Sequence, residues 1–173
     1  MNEEIKNLIA KETFVVVQRP KGVKVSGTKW VLKIKKNCDG SIERFKGRVV
    51  AKGFSQSYGI DCSETSSPVI KKKTVRVLFA LAARNKWCVD HVDILTAYLS
   101  SPLTETIYVE PPVGFNSDTN KVWKLLKSLH GLKQSAYEWY NTIHKLLVSL
   151  GMTRLKVCVR QSHKDATDWS SCR

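Results

Sequence analysis

The sequence predicts an α/β (α+β) fold, and three observations predict it. Between Thr28 and Phe54, apolar and basic residues alternate with the two-residue period of a half-buried strand, turn, and alternate back. Val75, Leu78, Leu81 and Ala82 recur at helical spacing within Thr74 to Asn85. Trp139, Ile143, Leu146, Leu147 and Leu150 make a longer helical stripe that Gly151 ends. A length of 173 residues suits one domain with its own core.

Met1 to Ala10 reads as a short polar helix with no evident task, and residues 1–12 as a lead-in. Phe14 to Val17 is a small apolar strand that Arg19-Pro20-Lys21-Gly22 breaks. In the next segment Trp30, Leu32 and Ile34 alternate with Lys29, Lys33 and Lys35. Asn37-Cys38-Asp39-Gly40 supplies a turn, Asp39-Gly40 carrying the positive-φ signal. The returning strand sets Arg44, Lys46 and Arg48 against Phe45 and Val49. Paired antiparallel, the two strands have one apolar face and one basic face of Lys33, Lys35, Arg44, Lys46 and Arg48. Cations at strand spacing suit a phosphate chain, because each neutralised phosphate releases counterions. A lysine-rich outer face also protects sheet edges in proteins that bind nothing.

Phe54 to Lys73 reads as loop. Lys71-Lys72-Lys73 stands where cations oppose a helix dipole, as a solvated charge run or a backbone contact. Thr74 is the candidate N-cap of the helix that follows, and Val77, Phe79 and Ala80 predict that several of its faces are covered. Trp87 to Ile94 reads as a strand that delivers Asp93, the one acid of His91 to Leu99. A lone carboxylate among apolar residues is costly unless paired, hydrogen-bonded or holding a metal. The plain reading is an aspartate that caps the next turn. Asp90, three residues earlier, lies on the other side of a regular strand. Pro102 ends that segment, Thr106 to Val109 is a short strand, and Pro111-Pro112-Val113-Gly114-Phe115 is a rigid turn before a polar loop, Asn116 to Asn120. Lys121 to Leu125 alternates as a strand, and Ser135-Ala136-Tyr137-Glu138 has capping-box spacing.

The charge balance narrows the partners. Lys and Arg number 29 against 15 Asp and Glu, giving +14 and a pI near 9.7. Such an excess points to a polyanion, most often nucleic acid, although it also serves solubility or a membrane surface. Five cysteines, widely spaced and odd in number, support neither a disulfide framework nor a zinc site, and suggest reduced thiols in an intracellular compartment. The first ten residues lack the apolar core of a signal peptide, and no apolar run is long enough to span a bilayer.

Several segments together resemble the reverse transcriptases of copia-type LTR retrotransposons. Gly27-Thr28-Lys29-Trp30-Val31-Leu32-Lys33-Ile34-Lys35, Asp39-Gly40-Ser41-Ile42-Glu43-Arg44-Phe45-Lys46 and Arg48-Val49-Val50-Ala51-Lys52-Gly53-Phe54 are similar to that family's fingers hairpin. The likeness continues through Tyr58-Gly59-Ile60-Asp61, Glu64-Thr65 and Ser67-Pro68-Val69. His91 to Leu99 resembles the first catalytic motif, and Leu129-His130-Gly131-Leu132-Lys133-Gln134-Ser135 a second template and nucleotide motif. The resemblance covers roughly residues 13–154. It implies a fingers β-hairpin packed on a truncated right-hand palm, and an ancestral RNA-directed DNA polymerase. Asp93 would be the catalytic acid and Mg²⁺ ligand, and Tyr98 the gate beneath the sugar of the incoming nucleotide. Lys46 and Arg48 would hold triphosphate or template backbone, and Gly131, Lys133 and Gln134 would shape the nucleotide pocket. The implied partners are an RNA/DNA template-primer and deoxynucleoside triphosphates, with no membrane. Three positions depart from the pattern: Gly47 for alanine, Ala136 for proline and His130 for tyrosine. For His130 an ordinary loop histidine is the plainer reading.

The likeness fades after Thr153-Arg154, and residues 155–173 read as a divergent, disordered tail. The family's Tyr-x-Asp-Asp hairpin does not occur in the sequence. Two-metal nucleotidyl transfer needs carboxylates that bridge two ions about 3.5–4 Å apart, and Mg²⁺ on one carboxylate keeps most of its waters. The expectation is therefore a chain that does not polymerise by itself. The alternatives are a non-catalytic nucleic-acid-binding module or a decayed transposon remnant with open edges and poor solubility.

Overall fold

A computed structural model describes residues 2–115, 118 and 120–154. The expected tail, 155–173, lies outside the described residues. The fold is α+β. In chain order the elements are α1 (Asn2–Ala10), β1 (Phe14–Gln18), β2 (Val25–Ser26), β3 (Thr28–Lys36), β4 (Ile42–Ala51), α2 (Lys72–Arg84), β5 (Pro102–Val109), β6 (Lys121–Lys127) and α3 (Ser135–Ser149). Strands β1, β6, β5 and β2 form one sheet in that order, and β3 and β4 form a separate hairpin.

The hairpin has the expected register. Lys33 faces Lys46, Lys35 faces Arg44 and Val31 faces Arg48. Side chains on paired residues share a face, so the five cations do lie together, with Trp30, Leu32, Ile34, Phe45 and Val49 on the other side. Asp39 accepts hydrogen bonds from the Ser41 amide and hydroxyl, closing the turn around the positive-φ Gly40. Only the root of the apolar face is covered: Val49 is buried and Trp30 packs on the core, while Leu32, Ile34 and Phe45 stay exposed.

The core lies where the root of the hairpin meets the larger sheet. It joins Leu8, Val49, Ala51, Leu99, Ile107, Val109, Trp123, Leu125, Leu129 and Leu132. Trp123 is fully enclosed, with the Phe14 ring stacked 3.8 Å away and Phe115 edge-on at 5.1 Å. Helix α1 has a task that the sequence did not reveal: Leu8 is completely buried and Ile5 packs beside it. Strand β2, a two-residue element parallel to β5, was missed. Pro102 follows the end of the preceding segment, whose last turn stops at Ser100, and opens β5, at a position where a missing N–H is tolerated.

Four further expectations fail. Residues 87–94 form no strand: they join no ladder, and Val92 and Ile94 are exposed, as is Leu95 just beyond. The four-stranded sheet ends on β1 and β2, so this segment finds no described neighbour to complete a ladder. Helix α2 begins at Lys72, and its N-cap, Lys71, makes no side-chain bond, so Thr74 is not the cap. Nor is α2 widely covered: of its residues only Ala82 is buried, and Val77, Leu78, Phe79 and Leu81 face solvent. In α3 the capping box does not form. Ser135 Oγ donates instead to the Leu129 carbonyl, and Glu138 accepts from the Thr104 amide and hydroxyl. The stripe of α3 is inward only in its first half, since Leu146, Leu147 and Leu150 are exposed. Gly151, at φ +81°, ends the helix as expected. No described helix is long and apolar enough to cross a membrane.

Candidate nucleotide and nucleic-acid interface

Strand β4 carries Arg44, Lys46 and Arg48 into a cavity of about 740 Å³. A short 3-10 turn, residues 97–100, brings Tyr98 to the same cavity, and buried Leu99 anchors that turn in the core. Helix α1 closes one side with Glu3, Glu4 and Asn7, Lys11 follows just past its end, and the loop after β6 adds His130. Three of the predicted site residues, Lys46, Arg48 and Tyr98, therefore meet around one cavity although 52 positions separate the first from the last.

The cavity is electropositive by construction. Arg48 beside Lys46, then burial, then Lys35 and Arg44 hold the Lys46 ammonium below its usual range, and Glu4 offsets part of this. Like charges packed at strand spacing raise the local potential that a phosphate would relieve. Burial raises the Glu4 carboxyl above its usual range, against the Val49 backbone, Arg48 and Lys46, which all favour its charged form. His130 is held below the usual histidine range by burial first, then by Arg48 and Lys46.

Gly131, Lys133 and Gln134 lie in the loop that locks the hairpin to the sheet. Gly131 has φ +91°, and a Cβ there would sit 2.2 Å from the Ala51 carbonyl oxygen and 2.5 Å from Val50 Cγ1. A Cβ on Gly53 would in turn sit 2.0 Å from the Gly131 carbonyl oxygen. The two glycines let two backbones touch, and the His130 carbonyl accepts the Ala51 N–H across the same joint. Gln134 is fully buried. Its Oε1 accepts from Gln56 Nε2 at 3.0 Å, and its Nε2 donates to the Asp61 carbonyl at 3.0 Å and to Glu105 Oε2 at 3.4 Å. Lys133 donates its backbone N–H to Gln56 Oε1 and its ammonium to the Gln56 carbonyl. Burial pushes the Glu105 carboxyl up, but the Ser63 hydroxyl and amide and then Gln134 outweigh it and leave the carboxyl below its usual range. Gln56 and Glu105 are thus members of the joint that the sequence did not single out, and Asp61, visible only as part of the family likeness, is a third. A buried amide paired with another amide tens of residues away leaves no local signature. His130 was visible as a departure from the family pattern, although its place in the cavity was not.

Asp93 stands apart. It is exposed on the unpaired segment before the 3-10 turn, and it does not line the cavity, although its neighbours Ile94 and Leu95 do. The burial cost that made a lone acid suggestive does not arise for an exposed carboxylate. Among the described residues, no group of three or more His, Cys, Asp or Glu side chains comes together as a metal site. The donor set around Asp93 therefore does not fit a two-ion magnesium cage. Cys38, Cys62 and Cys88 are free thiols.

Comparison with known proteins agrees with the sequence motifs. Residues 11–160 match the family model described as reverse transcriptase (RNA-dependent DNA polymerase). The chain is 44% identical over 142 residues to the retrovirus-related Pol polyprotein from transposon TNT 1-94 of Nicotiana tabacum, covering 81% of this chain and 11% of that protein. It is 38% identical over 154 residues to the Pol polyprotein from transposon RE1 of Arabidopsis thaliana, covering 87% and 10%. It is also 42% identical over 82 residues to an uncharacterized mitochondrial protein of Arabidopsis thaliana, covering 47% and 48%. No solved structure matches the chain. The chain spans about a tenth of the length of the Pol polyproteins it matches. Motifs, register and relatives converge: the chain belongs to the reverse transcriptase family of copia-type retrotransposon Pol polyproteins.

Proposed function

We propose that this chain supplies the phosphate-holding, nucleotide-facing part of an RNA-directed DNA polymerase and does not extend a primer alone. The observation that carries this reading is the convergence of Lys46, Arg48 and Tyr98 on one basic cavity. Lys46 and Arg48 hold phosphate oxygens of the triphosphate or the template-primer, and the Tyr98 ring forms the wall on which a sugar rests. Gly131, Lys133 and Gln134 shape that pocket from behind by fixing the hairpin against the sheet. Asp93 is the family's metal-ligating acid. The described residues bring no group of three metal-ligating side chains to that acid, which leaves too few for the coupled two-ion site. The chain acts in an intracellular, reducing compartment, which suits its free thiols.

Binding of a labelled RNA/DNA template-primer to the full chain tests the reading. Affinity should fall steeply with salt, and Lys46→Glu with Arg48→Glu should abolish binding. Binding indifferent to both changes would overturn the phosphate assignment. Primer extension with Mg²⁺ or Mn²⁺ should give no product, and robust extension would overturn the claim of silence. The exposed apolar side chains of α2 favour a second reading, a remnant that aggregates without serving any partner. A soluble monomer that binds template-primer would rule it out.

A further inference from the structure

Helix α1 brings an acid to a cavity built of cations. Glu4 lines it from the helix, and Lys46 and Arg48 line it from β4. A phosphate on those cations and the Glu4 carboxylate therefore compete for one counter-charge, and charges of one sign in one site disfavour each other's ionised form. Two ways out of the conflict are costly. Swinging the helix aside would expose Leu8, which is completely buried, with Ile5 packed on the same core and Lys127 donating its ammonium to the Lys11 carbonyl just past the helix. Nor is the carboxylate solvated in place, since Glu4 Oε1 is enclosed and has no hydrogen-bond partner. The remaining way is a proton, because a neutral carboxyl is far less costly to bury than a carboxylate. The other charged and titratable groups around it are Arg44 from β4, Glu3 and the chain's amino terminus, Lys11, Tyr98 from the 3-10 turn and His130 from the loop after β6.

We propose that Glu4 is an internal competitor for the β4 cations, and that a polyanion enters the cavity together with a proton on the Glu4 carboxyl. The inference rests on the phosphate reading of the cavity and adds a regulation to it. In the empty cavity burial already raises the carboxyl, while the Val49 backbone, Arg48, Lys46 and the amino terminus restrain that rise. A bound phosphate neutralises Arg48 and Lys46 and adds negative charge of its own, so the carboxyl rises further. Binding therefore takes up a proton between the free and the liganded titrations of Glu4. Affinity rises as pH falls through that window and levels off below it. Above the window the carboxylate competes in full, so α1 makes the cavity weaker for phosphate in neutral than in mildly acidic solution.

The test uses the full chain with a short oligodeoxythymidylate, whose phosphodiesters keep their charge throughout, and with inorganic tripolyphosphate as the second arm. Calorimetric titration in buffers of different ionisation enthalpy counts the protons taken up. Wild type should bind oligodeoxythymidylate about fivefold more tightly at roughly pH 5.5 than at roughly pH 8, with proton uptake between. Glu4→Gln should bind about fivefold more tightly than wild type at the higher pH and equally at the lower one. Its difference from wild type isolates Glu4, because His130 and the ligand titrate in both. Glu3→Gln removes an exposed charge at the same cavity and should retain the wild-type proton uptake, which separates a proton on Glu4 from a change in net charge. On the unaltered chain, the Glu4 carboxyl carbon resonance should titrate at higher pH with ligand bound, a measurement that stands if Glu4→Gln does not fold. Uptake confined to one arm identifies that source of phosphate as the occupant. If wild type binds, Lys46→Glu with Arg48→Glu abolishes binding, and ligand leaves the Glu4 titration unmoved, this proposal is overturned while the phosphate reading stands. A folded Glu4→Gln that binds as wild type does at every pH overturns it equally. If wild type binds neither probe, both fall together.

Discussion

Trp123 and Phe79 are large aromatic residues in regular elements of one chain, yet the first is 0% exposed and the second 56%. Trp123 lies in β6, flanked by β1 and β5, with Phe14 and Phe115 against its ring. Phe79 lies on α2, where Ala82 is the single buried residue. The contrast extends to function. Lys46 and Arg48, which line the basic cavity, are mounted on the hairpin whose root packs against the sheet. Asp93, the acid that the family resemblance picks out, sits on a segment that pairs with nothing described. Geometry is fixed where apolar surface is buried, and an exposed side chain on an unpaired segment has less of it.

The sharpest way to break the joint is Gly131→Ala. The added Cβ would sit 2.2 Å from the Ala51 carbonyl oxygen, at a φ of +91° that alanine resists. Backbone on both sides must move, so the cost should exceed about 4 kcal/mol, a large part of a domain's stability. Thermal unfolding followed by circular dichroism should show loss of the cooperative transition. Trp123→Ala should cost about 3–5 kcal/mol by leaving a cavity in the core. Phe79→Ala in α2 should cost about 2 kcal/mol or less, because more than half of that side chain stays in water on folding. Equal losses for the two would erase the distinction between the regions.

The buried amide pair gives a smaller effect. Gln134→Leu removes the partner of Gln56 Nε2, the Asp61 carbonyl and Glu105 Oε2 together. Leaving such groups unsatisfied should cost about 1–3 kcal/mol in a denaturant titration. Glu105 makes the effect pH-dependent. Its carboxyl lies below the usual range in the folded chain, so it stabilises above the unfolded value, and that share is lost as pH falls through the folded one. Part of the difference between wild type and Gln134→Leu should therefore shrink in acid.

What the sequence made legible follows the same division. The hairpin register was readable because alternation and the Asp39-Gly40 turn are local, and the pairing of Lys33 with Lys46 follows from them. The span of α3 and its end at Gly151 were readable for the same reason. The capping box was not, because Ser135 is claimed by the Leu129 carbonyl, a competitor that only the folded loop supplies. The Gln56–Gln134 pair spans 78 positions and carries no period. Leu8 looked like one apolar residue in a polar helix until β4 gave that helix a wall to rest on. The strand expected at 87–94 had the right composition, but composition cannot supply the neighbouring strand that a ladder requires.

Glu4 links α1 to the cavity through the Val49 backbone and through charge. Burial raises its carboxyl despite Arg48 and Lys46. A raised acid stabilises below its unfolded value, and that contribution is lost as pH rises through the folded one. Glu4→Gln should therefore raise the melting temperature at neutral pH and change it little in acid. The opposite sign would mean that the carboxylate holds α1 down by pairing with the hairpin cations. Removing this acid also removes a competitor of phosphate, so tripolyphosphate should bind somewhat more tightly.

The smallest expected effect is at Gly47, where the family pattern has alanine. Its φ lies outside the left-handed region, so the conformation does not require glycine. A Cβ there would meet Leu32 Cδ2 at 3.3 Å and the Trp30 ring at 3.8 Å. Trp30 is at ordinary contact distance, and Leu32, exposed on the hairpin, has room to give way by a few tenths of an ångström. Gly47→Ala should thus stabilise β4 by about 0.4–1 kcal/mol, chiefly by restricting the unfolded chain. The gain should appear in the denaturation midpoint with the slope unchanged. A loss of stability instead would mean that Leu32 is pinned, and that the apolar face of the hairpin is packed beyond its root.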